Sequence, residues 1–186
     1  MSDNFHKARE AMVVSQLQPA GIMDERVIEA YRSVPRETFL PENLKSVCYL
    51  DESIALGNGR FLLEPLLHGL MVDELEIQPG ETVLNIGDDT GYSAAIVTKL
   101  GGNVTDAAES YDVILINGAV AEIPDFLTAK LNSGGRLACI IVPKVKAMGK
   151  IVIVTRETTG TLAKQVFEDA TAAYVPGFEP KPEFVF

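Results

Sequence analysis

At the centre of this chain, an apolar run, a bend bounded by glycines and a helical pattern follow one another without interruption. Thr82–Ile86 predicts a buried strand, Gly87–Gly91 a tight bend, and Tyr92–Leu100 a helix that two further glycines close. A helix that begins directly after such a bend presents free amides and a positive end at the carboxyl edge of a sheet. The pattern therefore predicts an α/β fold with a ligand site at the bend.

The remainder of the second half alternates strands with a helix. Strands are predicted at Tyr111–Asn117, Gly135–Val142, Lys150–Arg156 and Leu162–Glu168, and a helix at Ile123–Leu131. The short polar segment Glu157–Thr161 joins the last two strands as an antiparallel hairpin. Strands that alternate with helices need right-handed crossovers, so we predict a Rossmann-like, mainly parallel sheet with a C-terminal antiparallel hairpin.

The first half predicts helices and an irregular connection. Apolar residues recur at three- and four-residue steps through residues 4–34, which predicts two helices, with Asp24 as the N-cap of the second. Residues 36–60 predict a lid-like segment, and Pro65–Leu75 a third helix. A chain of 186 residues predicts one domain, in which residues 1–75 form a helical and lid segment and residues 76–186 the Rossmann-like core.

Charge and cysteine content exclude several classes of protein. The formal charge is −10 at pH 7, and an acidic surface repels phosphate backbones and anionic lipids, so we expect no nucleic acid or membrane partner. Cys48 and Cys139 are too few for a disulfide framework or a zinc site, and no metal is expected. Residues 1–10 lack the apolar segment of a signal peptide, so a cytoplasmic location is expected.

The bend also carries two acidic residues, Asp88 and Asp89. Their charge disfavours a phosphate ligand such as NAD and favours a cofactor with an ammonium and a sulfonium, which is S-adenosylmethionine. A tight turn without a ligand is the alternative. An acid about 20 residues after the first glycine could hold a ribose hydroxyl, and Asp106 and Glu109 lie near that position, although each could equally be a surface acid.

An ordered series of motifs runs through nearly the whole chain. The first half contains Ala8-Arg9, Met12-Val13, Gly21-Ile22, Val34-Pro35-Arg36-Glu37 and Gly57-Asn58-Gly59. The second contains Pro79-Gly80, Val83-Leu84, Gly91-Tyr92, Tyr111-Asp112, Glu122-Ile123-Pro124 and Gly134-Gly135-Arg136-Leu137. In this order they resemble the protein-L-isoaspartate O-methyltransferase family. The stretch from Pro176-Gly177-Phe178 to Phe184-Val185-Phe186 resembles a bacterial branch of that family.

The resemblance implies a seven-stranded class I methyltransferase sheet that binds S-adenosylmethionine. Family members methylate the carboxylate of L-isoaspartyl residues in damaged proteins, so the implied partner is a peptide or protein that carries such a carboxylate. Attack of a carboxylate on a sulfonium methyl needs mainly alignment and desolvation, so few acid–base residues are expected.

Several residues depart from the family pattern. Where the family usually reads Gln-Thr-Ile-Ser-Gln-Pro, this chain has Arg60–Pro65, with Leu63 in the position of the serine and Glu64 beside it. Asn85 replaces an acid, and Asp89 replaces a glycine. These changes leave open a second hypothesis, a catalytically inactive relative that acts as a ligand-binding or protein-interaction module.

The chain is also short between Leu100 and Tyr111. The family has a strand, a helix and another strand in this interval, and a βαβ unit needs roughly 30 residues. Either the protein lacks this unit, or a segment between about Val104 and Ala108 is missing from the sequence. We favour the missing segment, because deletion would open the sheet and uncover the helix after the bend.

The candidate site residues fall into two groups. Those assigned to the cofactor are Gly87, Asp88, Asp89, Gly91, Tyr92 and His68, of which the last two could equally be core residues. Those assigned to the acceptor are Arg60, which could bind its carboxylate, and Asn117, which ends a strand at the sheet edge. An exposed loop arginine and a turn asparagine are the respective alternatives.

Overall fold

The computed structural model describes residues 2–181. Its main sheet has six strands in the order β4-β3-β5-β6-β7-β8, and β1 and β2 form a separate hairpin. The strands are β1 Ile54–Gly57, β2 Arg60–Leu62, β3 Thr82–Ile86, β4 Asn103–Val104, β5 Tyr111–Val120, β6 Leu131–Ile141, β7 Gly149–Arg156 and β8 Leu162–Ala170. The first four strands in that order pair in parallel, and β6, β7 and β8 pair antiparallel.

Helices cover the sheet and build the N-terminal layer. The α-helices are α1 Ser2–Met12, α2 Glu25–Ser33, α3 Pro65–Glu74, α4 Tyr92–Lys99 and α5 Asp125–Thr128. A π-helical turn at Val13–Leu17 extends α1, and 3₁₀ turns lie at Gln18–Ala20, Arg36–Phe39 and Glu42–Val47. No helix of residues 2–181 is long and apolar enough to span a membrane.

The predicted fold class is confirmed, with local differences. Strand β3, the bend and helix α4 follow the predicted pattern, and Asp24 caps α2 by accepting a hydrogen bond from Arg26 N at 2.8 Å. The helix predicted at Ile123–Leu131 is only four residues long, because Leu131 already begins β6. The lid-like segment is more regular than predicted, since it contains two 3₁₀ turns and β1.

The prediction of a missing segment near residues 104–108 is wrong. Strand β4 has only two residues, and the chain continues from it through a six-residue loop, residues 105–110, into β5. Hydrogen bonds fix this path, because Thr105 N donates to Val83 O at 3.0 Å and Ala107 N to Thr105 Oγ1 at 3.2 Å. The sheet therefore has six strands among the described residues, one fewer than the resemblance implies.

The last described residues of the protein lie against the carboxyl end of β5. We call residues 171–178 the C-terminal strap. Ala119 N donates to Ala173 O at 2.9 Å, Val175 N donates to Ala119 O at 2.9 Å, and Ala121 N donates to Phe178 O at 2.9 Å. The strap thus lies along the strand end where a ligand site is expected. Phe184-Val185-Phe186, which contributed to the resemblance, lies outside the described residues.

Candidate functional site

The bend after β3 is shaped by its own side chains. Gly87 and Gly91 both have φ near +86°, a backbone conformation that favours glycine. The Asp88 carboxylate accepts hydrogen bonds from Thr90 N at 2.8 Å, Thr90 Oγ1 at 2.6 Å and Ser93 N at 2.6 Å. Asp88 therefore caps the first turn of α4. Its contact with the cofactor stays a prediction, since a carboxylate has about four acceptor positions and Asp88 uses three of them.

Several amides of the bend, among them those of Asp89 and Gly91, stay available for a ligand. Thr90 Oγ1 accepts from Tyr92 N at 3.1 Å, so this amide and those of Thr90 and Ser93 are used within the bend. Within residues 2–181, the amides of Asp89 and Gly91 have no hydrogen-bond acceptor. The bend can offer these two donors at the positive end of α4.

The strap packs onto Gly87 of the bend, and the β1–β2 hairpin, which we call the lid hairpin, packs onto Gly118 of β5. A Cβ atom placed on Gly87 would lie 2.8 Å from Val175 Cγ2, and one on Gly118 would lie 2.5 Å from Phe61 Cζ. Val175 and Phe61 are both buried. Gly87 thus permits the close approach of the strap. The sequence analysis had assigned Gly87 only to cofactor binding.

A buried chain of polar side chains crosses the molecule behind the bend. The hydroxyl of Tyr31 on α2 bonds to His68 Nδ1 on α3, and His68 Nε2 bonds to Ser93 Oγ on α4 at 2.9 Å. Ser93 Oγ donates to Asn85 Oδ1 on β3 at 2.8 Å, and Asn117 Nδ2 on β5 donates to the same oxygen at 2.8 Å. Five elements are joined by this chain.

These hydrogen bonds fix the tautomer of His68, and burial fixes its protonation state. Because the single hydroxyl proton of Ser93 goes to Asn85, His68 must donate from Nε2 and accept the Tyr31 proton at Nδ1. Burial, followed by the nearby Arg36 cation, lowers the pKa of His68 to about 3. His68 is therefore a neutral, buried residue that orients Ser93, and its contact with the cofactor stays a prediction.

The neutral state of His68 predicts a pH dependence of stability. Unfolded histidine takes up a proton near pH 6.5, whereas His68 in the folded protein does not, so its contribution to stability is lost as the pH falls below that value. We expect the stability advantage of wild type over the always neutral H68Q variant to shrink by about 1.2 kcal/mol between pH 6 and pH 5. Urea unfolding of both proteins across this range measures it.

The measurement uses the difference in unfolding free energy between wild type and H68Q because other groups also titrate in this pH range. Burial raises the pKa values of Glu64, Asp73 and Glu74, and their protonation in the folded protein favours folding at low pH. These contributions are common to both proteins and cancel in the difference. A pH-independent difference between wild type and H68Q would contradict the assignment of His68.

Asn117 ends the polar chain with an unsatisfied acceptor. Its Nδ2 donates to Asn85 Oδ1 and also to Ile86 O at 2.9 Å, which fixes the orientation of the amide. Its Oδ1 is buried and has no hydrogen-bond donor among the described residues. A buried acceptor without a donor costs about 1–3 kcal/mol, so the site is incomplete until a ligand or water supplies one.

Tyr92 lies in the core, which was the alternative in the sequence analysis, and its contact with the cofactor stays a prediction. Its ring is fully buried and packs edge-on against Phe39 and Tyr31. The guanidinium of Arg36 lies 4.7 Å from the ring centroid. Tyr92 therefore supports the start of α4 by packing.

Arg36 is the residue that the sequence prediction of site residues omitted. It is fully buried, its Nε donates to Cys48 O at 2.8 Å, and its Nη2 donates to Leu63 O at 2.6 Å. Its Nη1 has no acceptor among residues 2–181. The Arg36 cation thus joins the lid-like segment to Tyr92 at the start of α4. In the sequence, only its place in the Val34–Glu37 motif marked this residue.

Two of the three charged departures from the family pattern, Arg60 and Asp89, lie next to each other. Arg60 Nη1 is 4.0 Å from Asp89 Oδ2, and both side chains are about half exposed. Glu64 instead accepts a hydrogen bond from Ser53 Oγ at 3.1 Å, and burial raises the pKa of Glu64. Leu63 is buried. The structure therefore brings Arg60, but not Leu63 or Glu64, to the open side of the bend.

The sheet order and the bend at the end of β3 define a class I methyltransferase-like fold, and solved structures agree. A protein from Plasmodium falciparum assigned as a protein-L-isoaspartate O-methyltransferase, solved with S-adenosyl-L-homocysteine, aligns with a TM-score of 0.74 at 16% identity. The alignment covers 90% of this chain and 97% of that one. A second protein-L-isoaspartate O-methyltransferase aligns with a TM-score of 0.77 at 21% identity, over 92% of this chain and 67% of that one.

Sequence comparison then identifies the family. Residues 8–109 match the family described as Protein-L-isoaspartate(D-aspartate) O-methyltransferase (PCMT). The protein-L-isoaspartate O-methyltransferase of Methanoculleus marisnigri is 31% identical, over 84% of this chain and 86% of the relative. That of Herpetosiphon aurantiacus is 40% identical, over 76% of this chain and 79% of the relative. The chain belongs to the protein-L-isoaspartate O-methyltransferase family.

The same alignments show what this chain lacks. The alignment with the Methanoculleus marisnigri protein spans 191 residues, whereas 84% of this 186-residue chain is about 156, so about 35 positions of the relative have no counterpart here. The alignment with the Herpetosiphon aurantiacus protein, 176 residues against 76% of this chain, leaves the same shortfall of about 35. This is the size of one βαβ unit. The family match ends at residue 109, inside the loop that follows β4, where we place the deletion.

Proposed function

We propose that the protein transfers a methyl group from S-adenosylmethionine to the carboxylate of isoaspartyl residues in damaged proteins. Membership of the family supports this activity. The observation that carries it lies at the carboxyl end of β3: Asn117 donates to the carbonyl of Ile86, directly before the glycine bend, and its buried Oδ1 lacks a donor among residues 2–181. This arrangement suits a ligand with both an ammonium and a carboxylate.

The residues at the bend fit the amino-acid end of the cofactor. Asn117 Oδ1 can accept a hydrogen bond from the ammonium, and the amides of Asp89 and Gly91 can donate to the carboxylate. The charges of Asp88 and Asp89 favour a cationic ligand over a phosphate. When bound, the cofactor supplies an electrophilic methyl group on a sulfonium.

The protein itself then has to align and desolvate the carboxylate that accepts the methyl group. Phe61 and Val175 cover the floor of the site at Gly87 and Gly118 and exclude water there. Arg60 on the lid hairpin can bind the acceptor carboxylate, for which it would exchange its weak pairing with Asp89. A carboxylate nucleophile needs no general base, so alignment by these residues is sufficient.

We assign the protein to the cytoplasm, where its thiols remain reduced. Cys48 and Cys139 are both free and buried. Burial raises the pKa of the Cys48 thiol to about 11 and that of Cys139 to about 12, so both stay protonated and unreactive.

Calorimetric titration with two matched ligands tests the cofactor assignment. S-adenosylhomocysteine contains the amino-acid end, whereas 5′-methylthioadenosine has the same thioether adenosine without it. We expect S-adenosylhomocysteine to bind at least about tenfold more tightly, because one good charged hydrogen bond contributes about 1.5–3 kcal/mol. Equal affinities, or no binding of either, would contradict the assignment of the bend and Asn117.

A further inference from the structure

An apolar groove lies at the last described residues, directly after the strap. Its volume is about 1040 Å³, and its walls come from the start of α5, from the loop after β6 and from residues 177–181. Phe126 and Val145 line it and are 62% and 68% exposed. Phe178 and three prolines also line it. Contiguous apolar surface of this kind marks a place where another segment or molecule binds.

The sequence that follows Lys181 supplies apolar side chains for this groove. Residues 182–186 lie outside the described residues and read Pro-Glu-Phe-Val-Phe. Lys181 itself lines the groove, and Phe184 is three residues further along the sequence. Because a chain spans at most about 3.6 Å per residue, the Cα atom of Phe184 can be no farther than about 11 Å from that of Lys181. The groove is therefore within reach of these apolar side chains.

Two prolines restrict the backbone that leads from the strap to Phe184. Pro180 and Pro182 have fixed φ angles, and a residue that precedes proline favours extended backbone, so Lys181 between them has few conformations. A segment that is already restricted loses less conformational entropy when it binds. The sequence around Lys181 thus lowers the cost of ordering the residues that follow.

The charge of the groove also suits the sequence Pro-Glu-Phe-Val-Phe. The protein carries a net charge of −10, which repels further carboxylates. The lining of the groove is neutral, because Lys144 and Lys181 balance Glu122 and Glu179. The single carboxylate of Glu183 therefore meets no net repulsion there.

Tethering favours this segment over a separate ligand. A binding element that is joined by a short linker has an effective concentration on the order of millimolar at its site. The described chain forms one wall of the groove itself, so the residues that follow Lys181 are joined to the groove by such a linker. A separate apolar peptide would have to displace them.

We propose that Phe184-Val185-Phe186 binds in this groove and holds the strap in place. We call residues 182–186 the clasp segment. When bound, it joins the end of the strap to α5 and to the loop after β6. Val175 of the strap packs on Gly87, so the clasp segment supports the packing of the strap on the glycine bend.

A tryptophan at position 184 tests this contact, because the protein contains no tryptophan of its own. Phe184→Trp keeps an aromatic side chain, and acrylamide quenching measures how far solvent reaches it. The reference is a free peptide of residues 180–186 with the same change. We expect quenching in the protein to be about tenfold weaker than in the peptide, which corresponds to a segment that is bound about nine-tenths of the time.

A matched pair of variants assigns the protection to the groove. Val145→Glu places a charge in the groove, whereas Val166→Glu places the same charge on β8, away from it, and both valines are more than half exposed, at 68% and 52%. In the F184W protein, V145E should raise quenching to the level of the free peptide, and V166E should leave it unchanged. Circular dichroism melts of both variants check that folding is unchanged.

Hydrogen exchange measures the effect of the clasp segment on the strap. Val175 N donates to Ala119 O and Ala121 N donates to Phe178 O, so both amides report on whether the strap is in place. V145E should make both amides exchange faster than in wild type, because the strap opens more often. V166E should leave their exchange rates unchanged.

Four results would overturn the proposal. They are quenching of F184W as strong as that of the free peptide, quenching that V145E does not raise, equal exchange of the strap amides in V145E and V166E, and protection that is lost on dilution together with a fall in sedimentation coefficient. The last result would assign the groove to the same segment of a second copy of the chain. None of these measurements involves methyl transfer, so the proposal stands or fails independently of the proposed function.

Discussion

Replacing Gly87 with alanine is expected to lower the free energy of unfolding by about 3 kcal/mol, measured by urea unfolding. About 1 kcal/mol comes from forcing alanine into a left-handed backbone conformation, with φ near +86°. The remaining ~2 kcal/mol comes from overpacking, because the new Cβ would lie 2.8 Å from Val175 Cγ2 and 3.2 Å from its Cγ1.

Gly80 provides the matched control for Gly87. It has φ near +89°, yet a Cβ added there meets nothing within 4 Å. Gly80→Ala should therefore cost only the conformational part, about 1 kcal/mol. In a double-mutant cycle, the G87A V175A protein should be more stable than the two single changes predict together. Equal costs for G87A and G80A would show that the strap does not pack on the bend.

Replacing Arg36 with lysine is expected to destabilise the protein by about 3 kcal/mol. A lysine ammonium cannot reach both Cys48 O and Leu63 O, so one buried carbonyl loses its donor at a cost of about 1–3 kcal/mol. The flat stacking of the guanidinium over Tyr92 is lost too, while the buried charge remains.

Arg32 serves as the reference for this substitution. It pairs with Glu10 at 3.4 Å, and about a third of each side chain is exposed. Arg32→Lys should change stability by less than about 0.5 kcal/mol, because exposed ion pairs contribute little. Urea unfolding of both variants gives the comparison, and a cost for R36K below about 1 kcal/mol would contradict the structural role of Arg36.

The central part of the fold could be predicted because its determinants are local. Residues 82–102 contain the patterns of a buried strand, a bend that requires glycine and a helix closed by two glycines. The terminal hairpin was predictable for the same reason, since a short polar turn separates two strand patterns. Strand β4 could not be predicted. A deletion of about 35 residues precedes β5, and it is recognised only by comparison with the relatives.

The roles of individual polar residues depend on partners that are distant in sequence. His68 was assigned to the cofactor with a core residue as the alternative, and the sequence could not name its hydrogen-bond partners, which are Tyr31, 37 residues before it, and Ser93, 25 residues after it. Arg36 begins the segment predicted to be lid-like, and only tertiary packing buries it. Burial of a charge is decided by the whole fold, so sequence patterns cannot assign it.

Asn85 acquires a meaning that its sequence position alone did not give. As a departure from the acid of the family, it suggested a weakened cofactor site. In the structure its Oδ1 accepts from both Ser93 and Asn117, which orients the Asn117 amide and leaves Asn117 Oδ1 without a donor. Asn85 Oδ1 is therefore used within the protein, and Asn117 Oδ1 on β5 is the hydrogen-bond acceptor that a ligand could use.

Methyl transfer to an isoaspartyl peptide tests the proposed function most directly. The measurement compares incorporation of the labelled methyl group of S-adenosylmethionine into two peptides that differ only in L-isoaspartate or L-aspartate at one position. We expect base-labile methyl ester formation on the isoaspartyl peptide, and little on the aspartyl peptide. Transfer no faster than the enzyme-free background to either peptide, by protein that melts cooperatively, would contradict the account.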